Sequence, residues 1–107
     1  MIKALAVALL LTTTPEAIYH DYQKNPEAAD RKYLGKRLTI KGKIAAVSAS
    51  MVIDFAVNGT KDTVTATLTD EQVGRGWSLK PGQELELVCT GLGLVMGTPL
   101  VARCEFP

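Results

Sequence analysis

The chain carries little with which to do chemistry. It has one histidine, His20, two cysteines and six aromatic residues in 107 positions. No Ser-His-Asp arrangement, phosphate-binding glycine loop or His/Cys cluster can be drawn from it. Two cysteines also lack the further ligands a zinc site needs. The sequence therefore predicts no enzyme, no metal and no cofactor. His20 lies in a polar helical stretch and reads as a bystander. Asp54, Glu84 and Glu86 are carboxylates of the kind expected on outward strand faces.

An excess of one charge is missing as well. Formal net charge is +1, and from Arg37 to the C-terminus seven bases meet seven acids. Nucleic-acid binders usually show a basic face, because neutralising phosphates supplies much of their affinity. One stretch departs from this balance: Arg31, Lys32, Lys36, Arg37, Lys41 and Lys43 occur with no acid among them. It reads as a solvated helix end running into the outward face of a strand. Under the alternative, nucleic-acid reading, Lys41 and Lys43 are its contacts.

Long apolar runs are absent too. The longest near the N-terminus, Ala4 to Leu11, has eight residues, against about 20 for a membrane span. No membrane span is expected. With Lys3 before it, the run resembles a short signal peptide at the lower limit of length. Thr12-Thr13-Thr14-Pro15 is a poor cleavage site, and no cysteine follows for a lipid anchor. Residues 1–13 are therefore set apart as a candidate signal peptide or apolar segment, and 14–107 as one domain. The expected location is periplasmic or secreted, with the cytoplasm as the alternative.

What is present alternates between two periods. Thr14-Pro15 starts a helix, with the threonine as N-cap and proline at the first position. Ile18, Tyr22, Ala29 and Tyr33 follow near one face. Asn25-Pro26 predicts a kink or a fresh start, and Gly35 a C-terminal cap to this helical segment, 14–34. The period then becomes two. Leu38, Ile40 and Ile44 share one side of a strand, and Gly42 between them predicts a bend or bulge. Met51 to Val57 forms a second strand with Met51, Ile53, Phe55 and Val57 inward. Asn58-Gly59 signals a hairpin.

A third strand runs from Thr63 to Leu68, followed by a capping box at Thr69-Asp70-Glu71-Gln72. A fourth runs from about Gln83 to Thr90. A fifth, Leu100 to Phe106, puts Leu100, Ala102, Cys104 and Phe106 together. The predicted class is mainly β: a five-stranded OB-fold-like barrel preceded by an N-terminal helix. Another small barrel, or an open sheet under the helix, is the alternative.

Tyr19, Tyr22, Asn25, Ala29, Asp30, Tyr33, Gly35, Lys36 and Gly42 form a loose pattern. It continues through Leu79, Pro81-Gly82-Gln83, Cys89, Gly91, Leu100 and Cys104. Together these residues resemble the bacterial OB-fold proteins called tRNA_anti-like, many of them small exported or lipid-anchored proteins. The resemblance implies the fold and favours export. It carries no catalytic or ligand-binding motif to transfer.

Three features bear on function. Cys89 and Cys104 are equidistant from a turn at Met96-Gly97, so they oppose each other on the inward face. Export predicts a disulfide, and a cytosolic location two buried thiols. Leu92, Leu94, Val95 and Met96 make the loop before the fifth strand unusually apolar. Exposed, they suit a protein partner; folded over the barrel end, they are core. Trp77, in irregular chain, is either a lid or an exposed platform. OB-folds that hold single strands stack bases on aromatics of the second and third strands. Only Phe55 lies there, on an apolar face that reads as core. The expected function is a non-enzymatic binding module that engages a protein or envelope component through its loops. A single-stranded nucleic-acid binder is the alternative.

Overall fold

A computed structural model describes residues 10–49 and 51–107. Of the signal-peptide expectation for residues 1–13, the part over 1–9 lies outside the described residues. Strand β1, Leu11–Thr13, already belongs to the fold: it pairs in parallel with β2, Arg37–Ser48, placing Leu11 beside Leu38 and Thr13 beside Ile40.

Two helices follow. In α1, Pro15–Lys24, the Thr14 side chain accepts the Ala17 amide at 3.1 Å, satisfying a donor the first turn leaves open. Asn25 ends α1 and starts α2, Pro26–Tyr33, its Oδ1 accepting the Ala28 amide at 3.1 Å. The Asn-Pro pair is thus a fresh start. Leu34 caps α2 in extended conformation, and Gly35 follows with φ of 73°. Ile18, Tyr22, Ala29 and Tyr33 are buried, as the helical face predicts.

The barrel strands are β2 (Arg37–Ser48), β3 (Val52–Ala56), β4 (Thr63–Leu68), β5 (Glu84–Val95) and β6 (Thr98–Glu105). They run in the order β2-β3-β4-β6-β5, and β5 closes the ring by pairing with β2. Only β4 and β6 pair in parallel within the ring. A 3₁₀ turn, Asp70–Gln72, and a four-residue helix α3, Val73–Gly76, connect β4 to β5. This is a closed OB barrel with a helical segment before it.

Within the ring, long β2 serves two neighbours. Residues 37–43 pair with β5, and 44–48 with β3. The register slips at Ala45, so the bulge falls three residues beyond Gly42. Gly42 has another reason to be glycine: a Cβ there would lie 2.5 Å from Pro15 Cγ and 3.2 Å from the Phe55 ring. The start of α1 needs that space.

Two further expectations change. The capping box does not form: the Thr69 hydroxyl makes no cap, and Gln72 Oε1 instead accepts the Phe106 amide at 3.0 Å. In β6 the inward set is Val101 and Cys104, while Leu100, Ala102 and Phe106 are half-buried. A bulge at Arg103, where φ is 53°, breaks the alternation. The core also takes Leu38, Ile40, Ile44, Ile53, Phe55, Val57, Val64, Ala66, Leu68 and Leu87. Each large side chain here contributes about 1.5–3 kcal/mol by leaving water.

Tyrosine–carboxylate pairs fix the helices. Tyr19 donates to Asp62 at 2.7 Å and Tyr22 to Asp30 at 2.8 Å, while Tyr33 donates to Asp21. Glu16 accepts the Asn58 amide at 2.8 Å, so α1 is held to the 57–62 connection. That connection is longer than a two-residue hairpin, with Gly59 alone of its residues at positive φ, 82°.

Candidate functional site

Ligands of OB barrels commonly lie across the second and third barrel strands and the neighbouring loops. Here those strands are β3 and β4. Their outward face offers Val52, Asp54 and Ala56 against Thr67, Thr65 and Thr63, all half-buried. Thr65 donates to Asp54 Oδ1 at 2.8 Å, so the face's one carboxylate is engaged. Phe55 is fully buried. Bases would find hydroxyls here and no ring to stack on.

Lys41 and Lys43 are exposed on β2, but they face acids. Lys41 stands in register with Glu86, and Lys43 with Glu84. Farther along, Arg37 bonds Glu105 at 3.0 Å, and Lys32 bonds Asp21 at 3.1 Å. Four of the six bases in the stretch that is acid-free in sequence thus stand beside or opposite an acid in space. Its carboxylates come from β5, β6 and α1, which sequence spacing alone does not bring together.

The β5–β6 hairpin is open to solvent. Met96 and Gly97 form its tip with φ of 51° and 84°, and Val95 pairs with Thr98. Met96 is 100% exposed, Val95 49% and Leu94 39%, with Leu92 exposed beside them. They do not fold over the barrel end. Leu34 adds to this apolar surface, since it bridges to Gly91 and its Cδ1 lies 3.6 Å from the Cβ position of Gly93.

Trp77 is likewise no lid: it is 76% exposed. With Ala46, Val47, Ala49, Gly76, Leu79 and Pro81 it lines an open groove of about 380 Å³. Val47 and Leu79 pack on the core beneath. The sequence singled out Trp77 without its groove, because Ala46 to Ala49 reach it only through the bend of β2. None of the other predicted site residues lines this groove. Trp77, the lysines and the hairpin are thus carried by three separate parts of the barrel.

Cys89 and Cys104 are bonded, with Cα atoms 4.1 Å apart. His20 packs edge-on against Tyr19 at 5.5 Å. Among the described residues, no group of three His, Cys, Asp or Glu could hold a metal. No described helix is long and apolar enough to cross a membrane.

The tRNA_anti-like family model matches residues 4–105. This chain belongs to the tRNA_anti-like family. The match takes in both cysteines, the helical pair and every barrel strand. No curated protein matches the chain. Among solved structures, it is similar to a lipoprotein of Klebsiella pneumoniae subsp. pneumoniae MGH 78578 to which nucleic-acid binding has been ascribed. The two share 18% identity at a TM-score of 0.72, over 98% of this chain and 96% of the other. Likeness at that identity establishes the shared fold alone and carries no ligand with it.

Proposed function

We propose that this OB-fold binding module is a non-enzymatic, exported protein that holds a protein or another envelope component through its β5–β6 hairpin. The observation that carries the reading is the hairpin itself. Leu92, Leu94, Val95 and Met96 expose apolar surface at the turn and on the strand leading into it. Exposed apolar side chains gathered at one place favour docking, because a partner removes their surface from water.

Export is supported by the disulfide, which persists in oxidising compartments, and by the lipoprotein with the same fold. It also meets a constraint. Because β1 uses Leu11, a cleaved leader must end before it, leaving Ala4 to Leu10 as the apolar run. Seven residues stand at the floor of the usual range of about 7–15.

A photo-crosslinking residue at Met96 in the native host tests the hairpin. A discrete protein adduct at Met96, absent when the same probe replaces exposed Glu71 and lost on Leu94→Ser, supports the reading. Equal adducts at both positions would remove the hairpin from the site. The competing reading is a single-stranded nucleic-acid binder, favoured by what has been ascribed to the Klebsiella protein. It requires association with mixed oligonucleotides that weakens steeply with salt.

A further inference from the structure

Outside the disulfide, Arg37, Thr69, Thr90, Arg103 and Glu105 line a polar pocket of about 210 Å³. Arg37 is fixed in its wall. Nη1 donates to Thr90 Oγ1 at 3.1 Å and to the Arg103 carbonyl at 2.8 Å, while Nη2 reaches Glu105 Oε1 at 3.0 Å. The one carboxylate of the pocket is therefore paired.

Among the described residues, two side-chain groups of the pocket are left without an ion-pair or hydrogen-bond partner. Arg103 occupies the bulge at φ of 53°, where glycine would sit with less strain. Among the described residues its guanidinium has no ion-pair partner. The Thr69 hydroxyl is buried and makes no hydrogen bond. Strained backbone and unsatisfied polar groups both gather where a ligand completes the structure. A guanidinium matches the oxygens of a phosphate or carboxylate, and the uncompensated charge here is positive.

We propose that this pocket binds the phosphate group of a small phosphomonoester. Three terminal oxygens can engage Arg103, the free N–H groups of Arg37 and, once its side chain turns outward, the Thr69 hydroxyl, whereas a carboxylate has only two. The remaining volume admits the esterified group. The site is distinct from the hairpin, so either reading can fail without the other.

The test is titration of the full-length protein at low ionic strength, followed by backbone amide shifts in two-dimensional NMR. The probes are phenyl phosphate, inorganic phosphate and acetate. The expected result is saturable shifts at Arg37, Thr69, Thr90 and Arg103 with phenyl phosphate, weaker ones with inorganic phosphate and none with acetate. Arg103→Gly should weaken phenyl phosphate binding by about tenfold or more, the loss of a charge-assisted contact, while melting no lower than the parent. Thr69→Val should weaken it several-fold and leave the fold intact. No saturable shift, binding unchanged in Arg103→Gly, or acetate bound as tightly as phosphate would each overturn the proposal. Equal affinity for phenyl and inorganic phosphate would overturn the assignment to a monoester.

Discussion

Cys89 and Cys104 meet across β5 and β6 because two bulges cancel. Leu92 is the extra residue in β5, between Gly91 and Gly93, and shifts the register by one. At the other bulge Cys89 faces two residues, Arg103 and Cys104, and the register returns. Counting from the turn gives the right pair although neither strand is regular. The bridge closes a separation of 15 residues, worth about 3 kcal/mol in the chain-entropy account. Urea unfolding with and without reductant should show a loss of that order. The Cys89→Ala, Cys104→Ala double variant should match the reduced protein and be insensitive to reductant.

Gly91 is required by its neighbour. A Cβ on it would collide with the backbone carbonyl of Tyr33, which cannot rotate aside. Gly91→Ala should therefore cost about 1–3 kcal/mol of stability, the range for overpacking. Gly59→Ala meets no atom, though its φ of 82° still carries strain. Parallel denaturation of the two separates collision from strain, with Gly91→Ala expected to suffer more.

The tyrosine–carboxylate pairs between the two helices give the protein an acid limb and an alkaline limb. Asp21 is held below the usual carboxylate range, first by the Tyr33 hydroxyl and then by Lys32. Its unfolded form takes up a proton more readily, so its stabilisation is present above about pH 4 and is lost as pH falls through the folded value. Tyr22 is pushed up by burial and by its bond to Asp30. Its stabilisation is complete below about pH 10, where the unfolded tyrosine ionises, and declines above that. Denaturation midpoints against pH should show a shallower acid limb in Asp21→Asn and a shallower alkaline limb in Tyr22→Phe.

The cross-strand register makes Lys41 and Lys43 structural as well as surface charges. Lys41→Glu and Lys43→Glu place acids directly opposite Glu86 and Glu84. Each should cost about 0.2–1 kcal/mol, and added salt should recover part of it. The double reversal with Glu86→Lys and Glu84→Lys should restore stability at low salt.

Much of the barrel was legible because alternation is local. Thr63–Leu68 came out with its observed bounds, and the cap at Thr14 and the fresh start at Asn25-Pro26 follow from single residues and their nearest neighbours. The failures are those of distance. Gly42 is explained by Pro15, 27 positions earlier, and the missing Gln72 half of the capping box by Phe106, whose amide takes that side chain. Strand β1 was hidden in an apolar run whose composition also fits a leader. The inward face of β6 was misread because nothing in an arginine announces a bulge. For the candidate site, exposure decided what sequence left open: Met96 and Trp77 face solvent, and the lysines face carboxylates.

The choice between an exported protein-binding module and a cytosolic nucleic-acid binder turns on the compartment. The most direct test is the intact mass of the protein recovered from its native host, measured before and after reduction. The account predicts a mass lacking residues ahead of Leu11 that rises by two hydrogens on reduction. A full-length mass with free thiols would contradict it and bring the nucleic-acid reading forward.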